Sequence, residues 1–168
     1  MDHTVLHRRL AADLSTAMIY ALLRLRVEVF VVEQACPYQE LDGHDLDRTT
    51  RHYWLASYGA IENPQATLRL LEPTDGQFRI GRVCVARQAR GHGGIRRLLE
   101  AALAEVGDAP CVLDAQKHCV ELYGAYGFTV DGAEFTEAGI PHVPMRRAVP
   151  MRRAVPMHRA GSARIRCP

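Results

Sequence analysis

Residues 78–99 place an apolar, strand-like stretch, a glycine-rich turn and an amphipathic helix in direct succession. The turn, residues 90–94, reads Arg-Gly-His-Gly-Gly, and apolar side chains then recur at helical spacing. A strand, a tight turn and a helix in this order present backbone N–H groups and the positive end of a helix at one point, which favours binding of a phosphate. Arg90 and Arg96 add guanidinium groups, whose fork of donors suits phosphate oxygens.

Residue types exclude two common classes of phosphate site. A P-loop ends in Gly-Lys-Ser or Gly-Lys-Thr, whereas the one lysine of the chain, Lys117, lies far downstream of the turn. A dinucleotide-binding fingerprint needs a third glycine at the position that Arg96 occupies. Serine-hydrolase and zinc-protease motifs do not occur, and Cys111, His118 and Cys119 lack the spacing of zinc ligands, so we expect no metal site.

The Arg-Gly-x-Gly turn after a strand resembles the acetyl-CoA loop of the GNAT acyltransferases. Two later segments agree with this resemblance: a short strand over 113–116, and residues 121–128, which are similar to the family's closing Leu-Tyr-x-x-x-Gly-Phe pattern. The sequences of residues 22–43, 51–52 and 139–145 resemble the ElaA-type branch of the family. The resemblance covers roughly residues 15–147, which leaves out only the ends of the chain.

The resemblance implies an α+β GNAT fold, with a mixed, mostly antiparallel central sheet of roughly six to seven strands flanked by about four helices. Local patterns predict strands and helices in a compatible order. The predicted strands are 4–9, 52–58, 66–72, 78–86, 111–115, 127–131 and 142–147, and the predicted helices are 13–33, 92–106 and 117–126.

Two of these helices have defined features. The first is capped by Asp13 or Ser15 and ends before Cys36-Pro37. The second turns one apolar stripe to the core, formed by Leu98, Leu99, Ala102 and Val106.

The resemblance also implies where acetyl-CoA, the expected cosubstrate, binds. Its pyrophosphate contacts the glycine turn, and its pantetheine arm runs beside the preceding strand as an added strand would. The residues expected to contact it are Val83, Cys84, Val85, Arg90, Gly91, His92, Gly93, Gly94, Ile95, Arg96 and Gln116.

Ile95 departs from the family pattern, which places Gly or Ala at the last position of the loop. A small residue there lets the helix backbone approach the phosphate and the sheet. Either Ile95 displaces the pyrophosphate, with Gly94 allowing the turn to relax, or the loop is shifted by one residue.

Acetyl transfer to an amine requires an acid for the leaving thiolate and a route for the ammonium proton. Tyr123 matches the tyrosine that commonly serves as this acid in the family; the alternative is a core tyrosine that covers the sheet. Either a side chain or a chain of water molecules accepts the ammonium proton. The candidate bases are Glu33, Glu40, Asp42, His44, His52 and His142, among which Glu40 and His52 rank highest.

The resemblance implies an N-acetyltransferase that acts on a primary amine of a small molecule or peptide. The alternative function is a non-catalytic acyl-CoA-binding or regulatory GNAT module. Residues up to Pro144 carry a net charge of −5, from 14 basic and 19 acidic residues, which suits a cationic acceptor. The acceptor's identity is not encoded in any motif, and a homodimer through sheet edges or C-terminal strands remains an open alternative.

Seven arginines follow Pro144, in a six-residue unit that recurs nearly three times. We expect one acetyltransferase domain over 1–147 and a disordered, arginine-rich tail over 148–168, with nucleic acid an improbable partner. The five cysteines follow no framework spacing, and neither an apolar leader nor a membrane-length apolar run occurs. A cytoplasmic protein with reduced thiols and no membrane partner is therefore expected.

Overall fold

The computed structural model describes residues 4–72 and 76–148, which form eight strands and three α-helices. The strands are β1 (Thr4–Leu10), β2 (Arg51–Ser57), β3 (Pro64–Leu71), β4 (Phe78–Val85), β5 (Cys111–Gln116), β6 (Thr129–Val130), β7 (Phe135–Glu137) and β8 (Ile140–Arg147). The α-helices are α1 (Thr16–Arg26), α2 (Gly94–Val106) and α3 (Val120–Gly124).

All eight described strands join one sheet in the order β1-β2-β3-β4-β5-β8-β6, with β7 paired to β8. Every pairing is antiparallel except β4 with β5, so the predicted mixed, mostly antiparallel α+β sheet is confirmed. The sheet has one strand more than predicted. The additional strand is β7, whose three residues are all exposed and therefore show no alternation of apolar and polar side chains.

The first helix begins and ends where expected, but along its length it changes from an α-helix to a π-helix. The Ser15 hydroxyl caps it by accepting a hydrogen bond from the Met18 backbone N–H at 3.1 Å, so Ser15 rather than Asp13 is the cap. The prediction of one regular α-helix to residue 33 is wrong in detail, because Val27–Glu33 forms a π-helix. Such wider turns are frequent at functional sites, and here they bring Phe30 and Glu33 to the wall of a cavity.

Helix α2 packs on one face of the sheet with the predicted stripe of Leu98, Leu99, Ala102 and Val106, all buried. On the opposite face, α1 packs against strand β2 through a second apolar cluster. This cluster consists of Met18, Ala21, Leu22, Trp54 and Ala56. The sheet is therefore covered on both faces, and its strands present apolar side chains to each side.

The parallel pair β4–β5 is short and opens into a gap. Only Phe78 with Cys111 and Arg79 with Val112 are paired, after which the two strands diverge. Strand β4 also carries one extra residue opposite β3, because Thr67 pairs with Cys84 and Arg69 with Gly81. Arg82 lies within this bulge at φ 54°, a left-handed backbone conformation that is uncommon for residues other than glycine.

The predicted tail over 148–168 lies outside the described residues except for Ala148. The first copy of the repeated unit contributes Pro144–Arg147 to β8, as expected. None of the helices within residues 4–72 and 76–148 combines the length and the apolar character needed to cross a membrane.

Glu105 of α2 ties the helix to the first two strands. Its carboxylate accepts hydrogen bonds from Arg8 at 2.5 Å and Arg51 at 2.7 Å, and from the Tyr53 hydroxyl. Partial burial alone raises the pKa of Glu105, but these three donors outweigh it and hold the pKa at about 2. The ionised form is therefore favoured by folding.

Replacement of Glu105 by Gln is expected to lower stability at neutral pH and to flatten its dependence on acid. Because the folded-state pKa lies below the ordinary value, the ionised carboxylate stabilises the fold above about pH 4.3 and loses that effect as the pH falls towards 2. Urea unfolding at pH 7, 4, 3 and 2.5 measures the change.

The matched control for this experiment is Glu100→Gln on the same helix, since Glu100 is exposed and pairs only with Arg96. It should leave the slope of unfolding free energy against pH nearly unchanged. Equal slopes of unfolding free energy against pH for the native chain and for Glu105→Gln would contradict the lowered pKa assigned to Glu105.

Candidate active site

A cavity of about 1000 Å³ opens where β4 and β5 diverge. Val83 and Cys84 line it from β4, and Leu113 and Gln116 line it from β5. The π-helix, the loop after it, the glycine turn and the β7–β8 hairpin complete its wall. The cavity is therefore lined by the glycine turn, the loop after the π-helix and the β7–β8 hairpin together.

The glycine turn is shaped as an anion site. Gly91 and Gly93 have φ values of 83° and 72°, and a Cβ on either would meet no atom within 4 Å. Their left-handed backbone turns the chain so that α2, a 13-residue helix, begins with its N-terminus at the cavity. The free N–H groups and positive end of this helix suit a phosphate, and Arg90 and Arg96 lie on the same wall.

Gly94 is the point at which α2 approaches the sheet. A Cβ there would lie 3.4 Å from Leu55 Cδ1 and 3.6 Å from the Ala66 Cβ. Both are ordinary van der Waals contacts, whereas a Cβ on Gly91 or Gly93 would meet nothing within 4 Å, so Gly94 is the glycine of the turn that lies nearest the sheet. The alternative of a loop shifted by one residue stays a prediction. Ile95 itself is partly buried against the core and lines the cavity.

An ion pair joins the glycine turn to the π-helix across the cavity. Arg90 Nη1 lies 2.7 Å from the Glu33 carboxylate, and Arg90 Nε donates to the Val85 carbonyl at 3.3 Å. On β5, the Gln116 amide donates to the Gln34 side-chain oxygen at 3.0 Å. These contacts hold the phosphate end of the cavity in a defined shape.

The structure brings nearly all of the predicted cosubstrate residues together. Ten of the eleven line the cavity; His92 instead faces a small crevice beside Thr4 and Gln65. The prediction for His92 concerned its backbone N–H group, which stays in the turn although the side chain points away from the cavity.

Tyr123 of α3 also lines the cavity, with its ring edge-on to Phe128 at a centroid distance of 6.2 Å. Burial raises the pKa of Tyr123, so the phenol is neutral at physiological pH. Within the described part of the chain its hydroxyl has no hydrogen-bond partner, which leaves its proton available to a ligand. A neutral phenol on the cavity wall is what a proton donor to a bound ligand requires, and the assignment of Tyr123 as the acid stays a prediction.

The two base candidates ranked highest, Glu40 and His52, are not on the cavity wall. Glu40 is 4% exposed and accepts from Arg26 and from the Tyr38 hydroxyl. His52 is 1% exposed and its Nε2 lies 2.9 Å from the Asp45 carbonyl oxygen, while burial lowers its pKa. These buried contacts indicate that Glu40 and His52 stabilise the structure behind the cavity.

Glu40 belongs to a cluster of buried and half-buried charges, here named the ion cluster, and His52 adjoins it through the Asp45 carbonyl oxygen. Its members are Arg26, Arg69 and Arg82, and Glu40, Asp42 and Asp45. Three positive and three negative groups balance. The cluster joins α1, β3 and the β4 bulge to the loop after the π-helix, and so fixes that loop over the cavity.

Distances within the ion cluster are those of strong, charge-assisted hydrogen bonds. Arg26 lies 2.5 Å from Asp45, Arg69 lies 2.5 Å from Asp42, and Arg82 lies 3.0 Å from Asp42. Partial burial raises the pKa of Asp42, but Arg69 outweighs this effect and holds the pKa below its ordinary range. The cluster escaped sequence reasoning because its partners are far apart in the chain; the charged positions inside an apolar helix, Arg26 above all, were the available indication.

The other candidate bases line the cavity, but three of them are already engaged. Glu33 pairs with Arg90, Asp42 with Arg69, and His44 Nδ1 lies 2.8 Å from Asp47. His142 Nδ1 lies 2.9 Å from the Ile140 carbonyl oxygen. Cys84 is no nucleophile, because burial raises its pKa to about 12.

A sheet that splits between its parallel strands, with a glycine turn and a helix N-terminus at the gap, defines a class of acyltransferase-like proteins. The family model described as the acetyltransferase (GNAT) domain matches residues 25–149. This chain belongs to the GNAT acetyltransferase family, as its sequence patterns predicted.

Relatives and solved structures agree with this assignment. A UPF0039 protein of Mycobacterium tuberculosis is 56% identical over 149 residues, which are 84% of this chain and 92% of the relative. The crystal structure of an acyl-CoA N-acyltransferase from Pseudomonas aeruginosa has a TM-score of 0.77 and 44% identity, and covers 86% of this chain and 99% of its own. The crystal structure of Escherichia coli ElaA has a TM-score of 0.78, 35% identity and the same coverage.

Truncation of Arg26 to Ala is expected to destabilise the fold by about 3–5 kcal/mol, because Glu40 and Asp45 would then be buried without their partner. Urea unfolding at pH 7 measures the loss. Arg24→Ala is the control, as Arg24 lies on the same helix and is exposed. A loss for Arg26→Ala no larger than that of the control would show that the ion cluster contributes little.

Proposed function

We propose that this chain is an N-acetyltransferase that moves an acetyl group from acetyl-CoA to a primary amine of a small molecule or peptide, with both bound at once. One observation carries the proposal: in a GNAT chain, the anion-binding turn and the open edge of β4 face the same cavity. The solved relative from Pseudomonas aeruginosa is named as an acyl-CoA N-acyltransferase, which supports the choice of cosubstrate.

The pyrophosphate of acetyl-CoA would bind the turn. The N–H groups of residues 90–95 and the positive end of α2 supply donors, and Arg90 and Arg96 supply charge. Positive φ at Gly91 and Gly93 and the open space around both leave room for phosphate oxygens. The residues present therefore fit the group.

The pantetheine arm would lie along the edge of β4 that β5 leaves free. The bulge at Arg82 re-aims the backbone of Val83, Cys84 and Val85, so that one of these amides can donate to the thioester carbonyl. Gln116 on the facing strand offers an amide to the same ligand. Acetyl-CoA supplies an activated thioester, so the protein need only position it and polarise its carbonyl.

Tyr123 would donate its proton to the sulfur that leaves. The new bond joins the amine nitrogen to the acetyl carbon, the carbon–sulfur bond breaks, and the thiolate takes the phenolic proton. As the amide forms, its nitrogen releases a second proton, which passes through water to the Tyr123 phenolate and restores the acid. A raised pKa keeps that proton on the phenol until the thiolate forms. We assign the ammonium proton to water in the cavity, with Glu40 and His52 acting as positioning residues through the ion cluster.

Calorimetric titration of acetyl-CoA tests the cosubstrate assignment. We expect binding at micromolar concentration, and its loss in Gly91→Asp, which places a negative charge and a side chain in the left-handed turn. Gly59→Asp is the matched control, at a similar φ of 78° in an exposed turn away from the cavity. Absence of binding to the native chain would refute the assignment.

Replacement of Tyr123 by Phe tests the acid. With an amine that the native chain acetylates, we expect turnover to fall about a hundredfold, the usual contribution of a general acid, while affinity for acetyl-CoA is kept. Tyr126→Phe is the control, since Tyr126 follows on the same short segment without lining the cavity. Binding of acetyl-CoA without turnover of any amine would favour the alternative, a non-catalytic acyl-CoA-binding module.

A further inference from the structure

Glu137 is the unbalanced charge on the cavity wall. Four carboxylates line the cavity: Glu33, Asp42, Asp114 and Glu137. The first three are paired with arginines, at 2.7, 2.5 and 2.8 Å. Among residues 4–72 and 76–148, the Glu137 carboxylate has neither an ion pair nor a hydrogen bond.

The arginines on the same wall are all compensated. Arg69 and Arg82 belong to the ion cluster, which is neutral, and Arg79 pairs with Asp114. Arg90 and Arg96 pair with glutamates at the phosphate end. The described residues therefore leave one negative charge on the cavity wall, at the β7–β8 hairpin.

The β7–β8 hairpin fixes where this charge lies. Glu137 pairs with Ile140 and Phe135 with His142, so the four side chains share one face of the hairpin. Ile140 and His142 line the cavity, and the Phe135 ring stacks on His142 at a centroid distance of 5.6 Å. The face thus offers one carboxylate beside apolar and aromatic surface.

The turn between the two strands is tight. Ala138 and Gly139 both have positive φ, 45° and 84°, the pattern of a two-residue type I′ hairpin turn. Glu137 directly precedes this turn, so its backbone is held by the turn and by the pairing of β7 with β8. Cys36, in the loop after the π-helix, lines the same cavity, and burial together with the charges of Glu137 and Glu40 raises its pKa.

We propose that Glu137 binds a second cationic group of the acceptor, so that the preferred substrate is a diamine or a similar molecule with a positive charge beyond the reacting nitrogen. A carboxylate at the rim attracts an ammonium group, and the neighbouring apolar face contacts the alkyl chain that carries it. The proposal rests on the proposed function and specifies its substrate class.

The test compares straight-chain diamines of three to six carbons with amino alcohols of equal length, which lack the second charge. In the native chain we expect kcat/KM for the best diamine to exceed that of its amino alcohol by about fivefold, the upper range for a partly exposed ion pair. Glu137→Gln should abolish this preference, and added salt should reduce it in the native chain.

Glu134→Gln is the matched control, since Glu134 lies three residues earlier, pairs with Lys117 and does not line the cavity. It should keep the preference. A native chain without preference for diamines, or a preference that survives in Glu137→Gln, would overturn the proposal.

Calorimetric binding of the same diamines to the full chain, with and without saturating CoA, gives a readout independent of turnover. Weaker binding to Glu137→Gln than to the native chain supports the proposal, and equal binding or none overturns it. Failure of the proposed function is recognised separately: acetyl-CoA would then not bind or no amine would be acetylated, while the calorimetric comparison of diamine binding would still report on Glu137.

Discussion

The divergence of β4 from β5 is the constraint on which the site depends. Two pairs of residues hold the strands together at Phe78 and Arg79, and beyond them each strand forms one wall of the cavity. A continuous sheet would satisfy the β4 backbone internally and leave no edge for an extended ligand. The bulge at Arg82 and the packing of α2 on the sheet then decide which amides face the gap.

The ion cluster holds the loop after the π-helix in place, as apolar packing holds α2 on the sheet. The loop after the π-helix has few apolar residues that could bury themselves, yet it must keep a fixed position over the cavity. Six charged groups linked by ion pairs supply that position, at the cost of removing four of them, Arg26, Glu40, Asp45 and Arg69, almost fully from water. The protein interior tolerates this arrangement because the six charges sum to zero and lie close together.

Local patterns were sufficient for the family, the sheet and α2, since these depend on alternation, helical spacing and a short motif in a fixed order. They failed for β7, which has no buried side, and for the π-helix, which differs from an α-helix in hydrogen bonding rather than in residue type. Glu40 and His52 were ranked as bases from their place in the chain. Their burial among arginines and a backbone carbonyl is a long-range property that no local pattern contains.

The ion cluster also bears on how this architecture can change over evolutionary time. Replacing any one of its six members strands an opposite charge, so substitutions there must occur together or not at all. The Glu137 carboxylate at the hairpin tip is under no such coupling, because no ion pair joins it to the described residues. On the proposed function, divergence in substrate choice is thereby directed to the rim, while the frame behind it is inherited as a block.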